Sequence, residues 1–406
     1  MSNLEELIER LCPDGVEYKT LTELFDTKNG YTPSKSKEEY WTNGTVPWFR
    51  MEDIRENGNI LSKAIQYVSE SAIKGSLFPA DSIIVATSAT IGQHALIKVP
   101  SLANQRFTYL VLKDEFKEQI DIMFIYYCCF KLDEYCKECL NQGNFASVDM
   151  KKFLKFKFPV PPLEVQREIV RILDNFTFLT TELAAELAAR QKQYEYYRDL
   201  LLTFKSNEST ILNERTNELE LSGAIRWMKL GDIADIGTGN GNTNEGLDTG
   251  KYPFFVRSQD IKYKNEYDFD ETAIITSGDG VGVGKIFHFV SGKYALHQRA
   301  YRVHIISDNV LPKYFFYYFK NSFLTYISKA SFHSSVTSIR RPMMINFPVP
   351  VPPLEVQQRI VGILDRFDVL CNDISSGLPA EIEARQKQYE YYRDKLLTFK
   401  ELKKEA

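Results

Sequence analysis

Apolar residues recur at alternating steps of three and four along a stretch that begins just after Pro161 and Pro162. Its members are Ile169, Ile172, Phe176, Leu179, Leu183, Leu187, Tyr194, Tyr197, Leu201 and Phe204, with a step of four where three was due before Leu187. This is the spacing of a coiled-coil seam, and the irregular step is a stutter that locally unwinds a supercoil. The pattern predicts one continuous helix over residues 163–205, about 64 Å long at about 1.5 Å per residue. No small domain covers such a helix, so it needs a long partner helix.

An internal repeat supplies that partner. Residues 189–205 read ARQKQYEYYRDLLLTFK and residues 384–400 read ARQKQYEYYRDKLLTFK, so the two copies differ only where Leu200 is matched by Lys395. The chain therefore consists of two units, each with a variable part followed by a helical segment.

The second helical segment runs from Leu354 to about residue 404, and it differs from the first by containing Gly377 and Pro379. Both residues oppose an uninterrupted helix. The sequence predicts a kink or break there, with Pro379 in the first turn of a resumed helix. The alternative is that each helical segment packs on its own domain as an amphipathic helix.

The variable parts, residues 21–158 and 230–347, show short β-type runs separated by Gly, Pro, Asn and Asp. The runs include residues 82–86, 108–112, 273–276 and 301–306, and helical stretches follow at 120–132 and 314–327. Both parts are predicted to be mixed α+β domains. The polar, acidic residues 206–222 are predicted to be a linker.

Composition narrows the possible functions of the 406-residue chain. Its 50 Lys and Arg residues are balanced by 54 Asp and Glu residues, giving a net charge of −4. This excludes a polybasic tail but permits a local basic groove. The six cysteines are too sparse for a disulfide scaffold. With no signal peptide or apolar span in the sequence, we expect a cytoplasmic protein that does not contact a membrane.

Motifs that would carry catalysis are missing from the sequence. The glycine-rich residues 278–284 fit neither GxGxxG nor GxxxxGK[ST], so they indicate a turn or bulge. A CxxC pair, Cys136 and Cys139, lies in a helical stretch with Cys128 and Cys129, which favours buried thiols over a zinc site. Neither GxSxG nor the [ND]PP[FY] tetrapeptide of amino-methyltransferases is present. We therefore expect no catalytic centre and no metal in this chain.

Recognition of DNA is the remaining interpretation, and matched polar residues in both halves support it. Residues 49–54 parallel residues 256–261, and residues 104–106 parallel residues 297–299. Flexible polar loops and arginines at such places suit phosphates or guanine edges, although each arginine alone is more often a surface ion-pair residue. The candidates are Thr32, Ser34, Lys35, Arg50, Gln105, Arg106, Asn240, Asn242, Arg257, Gln298, Arg299, Arg340 and Arg341.

The helical motifs resemble the specificity (S) subunits of type I restriction–modification systems. PPLEVQ-x2-IV-x-ILD occurs at residues 161–174 and again at 352–365. The tetrads TTEL and AAEL at residues 180–187, followed by RQKQYEYYRD at 190–199, resemble the C subfamily of these subunits. The resemblance covers essentially the whole chain.

The resemblance implies an α+β fold in which two target-recognition domains of mixed α/β structure are joined by two long helices. These helices would form an antiparallel coiled coil with pseudo-two-fold symmetry. The implied segments are an N-terminal segment on the helical region (1–20), recognition domain 1 (21–160), the central helix (161–208), a linker with the start of the second unit (209–229), recognition domain 2 (230–350) and the distal helix (351–406).

The resemblance also implies partners. Each recognition domain would read half of an asymmetric bipartite site in double-stranded DNA, while the helices would dock two methyltransferase (M) subunits and, through them, restriction (R) subunits. S-adenosylmethionine, ATP and Mg would belong to the partners, and no cofactor to this chain. A cluster of Tyr194, Tyr196, Tyr197 and Arg198, repeated at residues 389–393, is expected to be exposed and supplies the candidate partner-binding residues. They are Tyr194, Tyr197, Arg198, Tyr389, Tyr392 and Arg393.

Three other functions remain open on the sequence. The chain could be a stand-alone bipartite DNA-binding protein, a single-chain modification enzyme, or a coiled-coil scaffold that does not bind DNA. The first would need no docking surface for partners, and the second is opposed by the missing methyltransferase motifs.

Overall fold

The computed structural model describes residues 2–141, 146–204, 212–213, 218–219, 225–330 and 338–402. Two compact units form: one contains residues 1–182 and 382–406, and the other contains residues 183–381. Each unit thus combines one mixed domain with helical residues from both repeats. Most of the predicted linker, residues 206–222, lies outside the described residues.

The first unit begins with a helix and continues as a mixed domain that leads into the central helix. Its elements are α1 (Ser2–Leu11), β1 (Glu17–Thr20), α2 (Leu21–Leu24), β2 (Phe25–Asn29), β3 (Val46–Phe49), α3 (Met51–Asn57), β4 (Ile60–Leu61), β5 (Tyr67–Val68), β6 (Ser82–Ala86), β7 (His94–Ile97), β8 (Leu102–Ala103), β9 (Phe107–Leu112), α4 (Ile122–Glu138), α5 (Met150–Phe153), β10 (Lys157–Val160) and α6 (Leu163–Leu202). The central helix α6 continues into the second unit.

The second unit repeats this plan after a short strand pair. Its elements are β11 (Leu212–Asn213), β12 (Glu218–Leu219), β13 (Arg226–Lys229), α7 (Leu230–Ile233), β14 (Ala234–Thr238), β15 (Tyr252–Phe255), β16 (Lys262–Lys264), β17 (Phe269–Ser277), β18 (Phe287–Leu296), β19 (Ala300–Ile305), α8 (Pro312–Ala330), α9 (Arg341–Ile345), β20 (Pro348–Val351) and α10 (Leu354–Asn372). The last helix, α11 (Leu378–Leu396), starts in this unit and ends in the first.

Mainly antiparallel sheets form the centre of each mixed domain, with two parallel pairings in the first domain (β3 with β8 and β4 with β7) and one in the second (β15 with β18). The first domain has a five-stranded sheet ordered β2-β9-β6-β7-β4 and a three-stranded sheet ordered β5-β3-β8. The second has a six-stranded sheet ordered β14-β19-β17-β18-β15-β16. The four predicted β runs fall on β6, β9, β17 and β19, and the two predicted helices fall on α4 and α8. The mixed α+β prediction is confirmed.

Apolar helices cover these sheets, and the cysteines of the CxxC region lie inside one of them. Cys128, Cys129 and Cys136 are buried in α4, in the same core as Phe124. Burial raises the pKa of the Cys136 thiol to about 12. These thiols are therefore neutral, tightly packed side chains at neutral pH, as expected of core cysteines.

A buried glutamine fixes the start of a long helix in each unit. Gln166 is fully buried, and its Oε1 accepts the Asp121 N–H at 2.9 Å. Its Nε2 donates to the carbonyls of Gln119 at 2.9 Å and Pro161 at 2.7 Å. Gln357 makes the same set of bonds at the start of α10, with the Leu311 N–H and the Asn309 and Pro352 carbonyls. The repeated PPLEVQ sequence thus encodes a joint between domain and helix.

Replacing Gln166 by leucine is expected to lower the free energy of unfolding of the first unit by about 2–4 kcal/mol, because three buried backbone groups lose their partner. Urea denaturation followed by circular dichroism measures this change. The matched control is Gln191→Leu at an exposed position of α6, where a change within about 0.5 kcal/mol is expected. Equal midpoints for the two variants would contradict the proposed role of Gln166.

The break predicted in the distal segment is confirmed, because α10 ends and α11 begins on either side of a short turn, with Pro379 as the second residue of α11. The Asp373 carboxylate accepts the Ser375 N–H at 2.7 Å and the hydroxyls of Ser375 and Ser376 at 2.6 and 2.7 Å. These hydrogen bonds lower the pKa of Asp373 to about 2. A Cβ atom at Gly377 would overlap backbone carbonyls of the turn, so glycine is required there.

The central helix pairs with α10 inside the second unit. The rings of Tyr197 and Phe367 are stacked, with centroids 5.8 Å apart. Burial raises the pKa of the Cys371 thiol, and Arg190 of α6 lies near enough to oppose that rise. The later residue of α6 in these two contacts meets the earlier residue of α10, so the two helices run antiparallel. Leu202 of α6 is buried in the core of the second unit.

The C-terminal residues complete the first unit. Tyr392 of α11 stacks on Phe176 of α6, with ring centroids 5.6 Å apart, and Leu397 is buried in the core that contains α4. The Val16 N–H donates to the Lys400 carbonyl at 2.9 Å. The C-terminal residues, which belong to the second repeat, therefore complete the hydrophobic core of the first unit.

Candidate nucleic-acid interface

Both domains present an arginine from a turn with the same local geometry. Asn104 directly follows β8, which pairs in parallel with β3, and His297 directly follows β18, which pairs in parallel with β15. The Arg106 N–H donates to Asn104 Oδ1 at 3.0 Å, and the Arg299 N–H donates to His297 Nδ1 at 2.9 Å. Burial and the nearby Arg257 lower the pKa of His297, which keeps its ring neutral and able to accept this bond.

The glutamine in the middle of each turn contacts a polar loop that carries candidate DNA-binding residues, 30–35 in the first domain and 237–243 in the second. The Thr32 hydroxyl donates to Gln105, and Gln298 Nε2 donates to Asn242 Oδ1 at 2.5 Å. Each loop therefore lies beside its arginine turn, and Asn240 is exposed at the start of the second loop.

In the first domain, these residues line one open cleft of about 840 Å³. Thr32, Lys35, Arg50, Gln105 and Arg106 all face it. The remaining candidate of this domain, Ser34, has a carbonyl that accepts the Trp41 indole N–H at 3.0 Å. Five of the six candidates of the first domain are thus brought together.

Aromatic and acidic side chains complete the cleft. The Trp41 and Trp48 rings meet edge to face with centroids 5.0 Å apart, and the Arg50 guanidinium lies 5.7 Å above the Trp48 ring. The Arg50 Nε is buried with no hydrogen-bond partner among the described residues. Glu38 and Glu52 also line the cleft, so it offers both donors and acceptors to a ligand.

In the second domain, two candidate arginines meet at one carboxylate. Arg257 Nη1 lies 2.7 Å from Asp279 Oδ1, and Arg299 Nη1 lies 3.1 Å from Asp279 Oδ2. Although partial burial opposes it, hydrogen bonds from both guanidinium groups lower the pKa of Asp279. Arg340 and Arg341 are exposed at the start of α9, two and three residues beyond Ser338, which pairs with Asp279.

The alignment of residues 49–54 with residues 256–261 is wrong by one position. Phe49 pairs with Ala103, and Phe255 pairs with Leu296, the residues that directly precede the two arginine turns. Phe49 is therefore equivalent to Phe255, and counting onward makes Met51 equivalent to Arg257. The shared spacing of Arg and Asp in the two segments does not mark equivalent positions, because strand pairing sets the register.

The comparisons with known proteins agree with this duplicated architecture. The family described as "Type I restriction modification DNA specificity domain" matches residues 13–190 and 225–384, which are most of the chain. The chain belongs to this family. It is thus a type I specificity subunit with two recognition domains, and this confirms the family and fold that the sequence predicts.

Among similar proteins, the EcoprrI specificity subunit of Escherichia coli is 38% identical, with 92% of each chain covered. The EcoR124I/EcoR124II specificity subunit of the same organism is 35% identical over 63% of this chain and 68% of that protein. Among solved structures, the Mycoplasma genitalium S subunit has a TM-score of 0.54 at 15% identity, covering 94% of this chain and 96% of that one. A structure on complex assembly and conformational transition of the type I R-M system has a TM-score of 0.60 at 16% identity, covering 95% and 98%.

The sequence of this specificity subunit did not point to several of the residues that shape the interface. Trp41, Trp48 and Glu38 gave no signal because they stand in no repeated motif, and Glu52 lies in the segment 49–54 but was not among the candidates. Asp279 lies in the glycine-rich segment that indicated a turn or bulge.

The aromatic clusters on the helices are only partly exposed, contrary to the expectation from sequence. Tyr194 and Tyr197 are half-buried, and both rings face Phe367. The exposed member is the tyrosine between them: Tyr196 exposes 64% of its surface, and its equivalent Tyr391 exposes 63%. Coiled-coil packing therefore uses the seam tyrosines, while the third ring of each cluster stays exposed and touches only the edge of its neighbour.

The equivalent residues in the first unit behave in the same way. Tyr389 and Tyr392 are half-buried, and Arg393 lies 4.6 Å from the Phe130 ring. Arg198 lies 5.9 Å from the ring of Tyr194 and also binds Asp199 at 2.8 Å. These candidates thus contribute to the packing of each unit.

The described residues form neither a metal-binding cluster nor a membrane-spanning helix. Within the described part of the chain, no group of three or more His, Cys, Asp or Glu side chains could hold a metal ion. None of the described helices is long and apolar enough to cross a membrane.

Proposed function

We propose that the two recognition domains of this specificity subunit read different half-sites of an asymmetric bipartite DNA sequence. One observation carries the proposal: equivalent scaffolds present different side chains. Met51 and Ser88 of the first domain stand where Arg257 and Asp279 stand in the second, and the side chains of Arg257 and Asp279 are partly exposed. Base edges are distinguished by hydrogen bonds and apolar contacts, so different side chains select different bases.

Phosphate contacts supply much of the affinity of DNA-binding proteins, and this chain is slightly acidic overall. We therefore propose that partner subunits contribute a large share of the phosphate contacts. Lys35, Arg106, Arg340 and Arg341 are exposed and would add to them. The clefts and turns of this subunit would then supply sequence discrimination.

The proposed partners are two methyltransferase subunits docked on the helices, with restriction subunits joined through them. S-adenosylmethionine, ATP and Mg would be bound by those partners, and the complex would methylate adenine at N6 and cleave DNA with ATP. The exposed Tyr196 and Tyr391 support docking, because exposed tyrosines are enriched at interface centres.

Methylome sequencing of a host that expresses the chain with its methyltransferase subunit tests the function. We expect one asymmetric bipartite motif in the host DNA. The purified chain alone is expected to transfer no methyl group and to hydrolyse no ATP. Methyl transfer by the pure chain, or a symmetric motif, would contradict the proposal.

Docking is tested by the double variant Tyr196→Ala and Tyr391→Ala. Loss of two exposed aromatic anchors is expected to weaken assembly with the methyltransferase subunit at least about tenfold. Sedimentation of the mixed subunits measures this change. The control is Tyr267→Ala, an exposed tyrosine of the second domain, which should leave assembly unchanged. Undiminished assembly of the double variant would place the docking surface elsewhere.

A further inference from the structure

The carboxylate of Asp279 is positioned to orient two arginines at once. Its two oxygens bind different guanidinium groups, Oδ1 that of Arg257 at 2.7 Å and Oδ2 that of Arg299 at 3.1 Å. The Ser277 hydroxyl donates to the Asp279 carbonyl at 2.9 Å, which ties the backbone of the turn. Asp279 also pairs with Ser338, so its position is set by two separate chain segments.

Given the proposed function, on which this inference rests, we propose that Asp279 makes recognition domain 2 a guanine reader. Asp279 acts as a positioning residue that holds Arg257 and Arg299 side by side with their free N–H groups directed outward. The second half-site then contains guanine at the positions that these arginines contact in the major groove.

Exposure supports this division of roles. The Asp279 side chain is 25% exposed, whereas those of Arg257 and Arg299 are 39% and 61% exposed. Each guanidinium has five N–H donors in a fixed fork, and the carboxylate occupies only part of them. The remaining fork matches the O6 and N7 acceptors of guanine, and arginine to guanine is the commonest specific base contact.

A role in binding phosphate fits the group less well. A carboxylate between two guanidinium groups cancels half of their positive charge and would face the phosphates of the backbone. Phosphate contacts need charge and little orientation, while base contacts need orientation. The shared carboxylate fixes the orientation of the two arginines and lowers their net positive charge.

The first domain shows what the turn is like without this group. Ser88 occupies the position of Asp279 because it pairs with Ser147 as Asp279 pairs with Ser338. Met51 occupies the position of Arg257, and Arg106 has no ion pair among the contacts of the described residues. The arginine network is therefore specific to the second domain, and its preference should appear in one half-site only.

The first test uses the wild-type complex of the chain with its methyltransferase subunits and needs no variant. Oligonucleotides carry the motif found by methylome sequencing, with carbon replacing N7 in guanines of one half-site at a time. Binding should weaken about tenfold for the critical guanines of the second half-site, because one of the two acceptors is lost. A second half-site without guanine on either strand, or binding that ignores the replacement, overturns the proposal.

Variants then test the positioning role itself. Methylomes made with Asp279→Ser, which installs the residue of the first domain, and with Arg299→Lys, which keeps the charge but loses the fork, should tolerate other bases at the guanine position. The first half-site and the spacing should not change. The matched control, Ser88→Asp, changes only the first domain and should leave the requirement for guanine in the second half-site unchanged.

Each alternative result has a defined meaning. A uniform loss of binding across all sequences, with a weaker salt dependence, would assign the arginines to phosphates and overturn the inference. If Asp279→Ser gives no methylation at all, Arg299→Lys and the N7 replacement decide between the two outcomes. Absence of any bipartite motif with the wild-type chain would instead count against the proposed function.

Discussion

A chain that ends at Glu383 is expected to lose the folded first recognition domain while the second stays folded. The deletion removes most of α11 and the residues after it, which close the first unit. Burial of Leu397 alone is worth about 2–5 kcal/mol. The lost contacts also include the hydrogen bonds from Lys131 Nζ to the Leu397 carbonyl at 3.0 Å and from the Tyr18 hydroxyl to the Phe399 carbonyl at 3.0 Å. Together they approach the whole stability of a typical domain, about 5–15 kcal/mol.

Hydrogen exchange with mass spectrometry measures this result strand by strand. Backbone amides of β6 and β9 should lose their protection, while those of β17 and β19 should keep theirs. Retained protection of β6 in the truncated chain would show that the first domain does not depend on the C-terminal residues.

The repeat offers a sharp control for the truncation, because a peptide with residues 189–205 should restore the first domain in trans. This peptide matches residues 384–400 except at Lys395, which is exposed and can be replaced by leucine without a clash. Its Leu202 is the counterpart of Leu397, and both are buried in their own units. A peptide carrying Leu202→Asp should fail to rescue, since it would bury an unpaired charge.

The helices could be predicted from sequence more fully than the interface, and the reason is physical. A heptad pattern and the helix-breaking residues Gly377 and Pro379 are local signals, so α6 and the break before Pro379 followed directly. The same heptad pattern also indicates which tyrosines are buried, because Tyr194 and Tyr197 occupy the seam and Tyr196 does not. The expectation that all three are exposed is therefore wrong for Tyr194 and Tyr197.

The interface depends on pairings between distant residues, which a single sequence does not reveal. Asp279 lies 22 residues from Arg257 and 20 from Arg299, and strand register alone brings the three together. The one-position error at Phe49 and Phe255 has the same origin. A one-residue shift is invisible in a short, imperfect match, yet it exchanges the faces to which side chains point.

Inserting a third AAEL tetrad after Leu187 is expected to lengthen the spacer of the methylated site by one base pair and to leave both half-sites unchanged. The two existing tetrads lie inside the uninterrupted α6, where the Thr180 and Thr181 hydroxyls donate to the carbonyls of Phe176 and Thr177 at 2.9 Å each. Leu183 and Leu187 are half-buried, and the other tetrad residues that follow Thr180 are exposed. An added tetrad can therefore extend the helix without entering a core.

The size of the effect follows from helix geometry. Four residues add about 6 Å and rotate the following residues by about 40°, because four residues exceed one turn. A base-pair step is about 3.4 Å, so a helix inclined to the DNA axis delivers fewer than two steps and one is the expected increment. Methylome sequencing of the insertion variant measures the length of the spacer. Four inserted glycines are the control, and they should abolish methylation by breaking α6. Full methylation with an unchanged spacer would refute the view that α6 sets the distance between the half-sites.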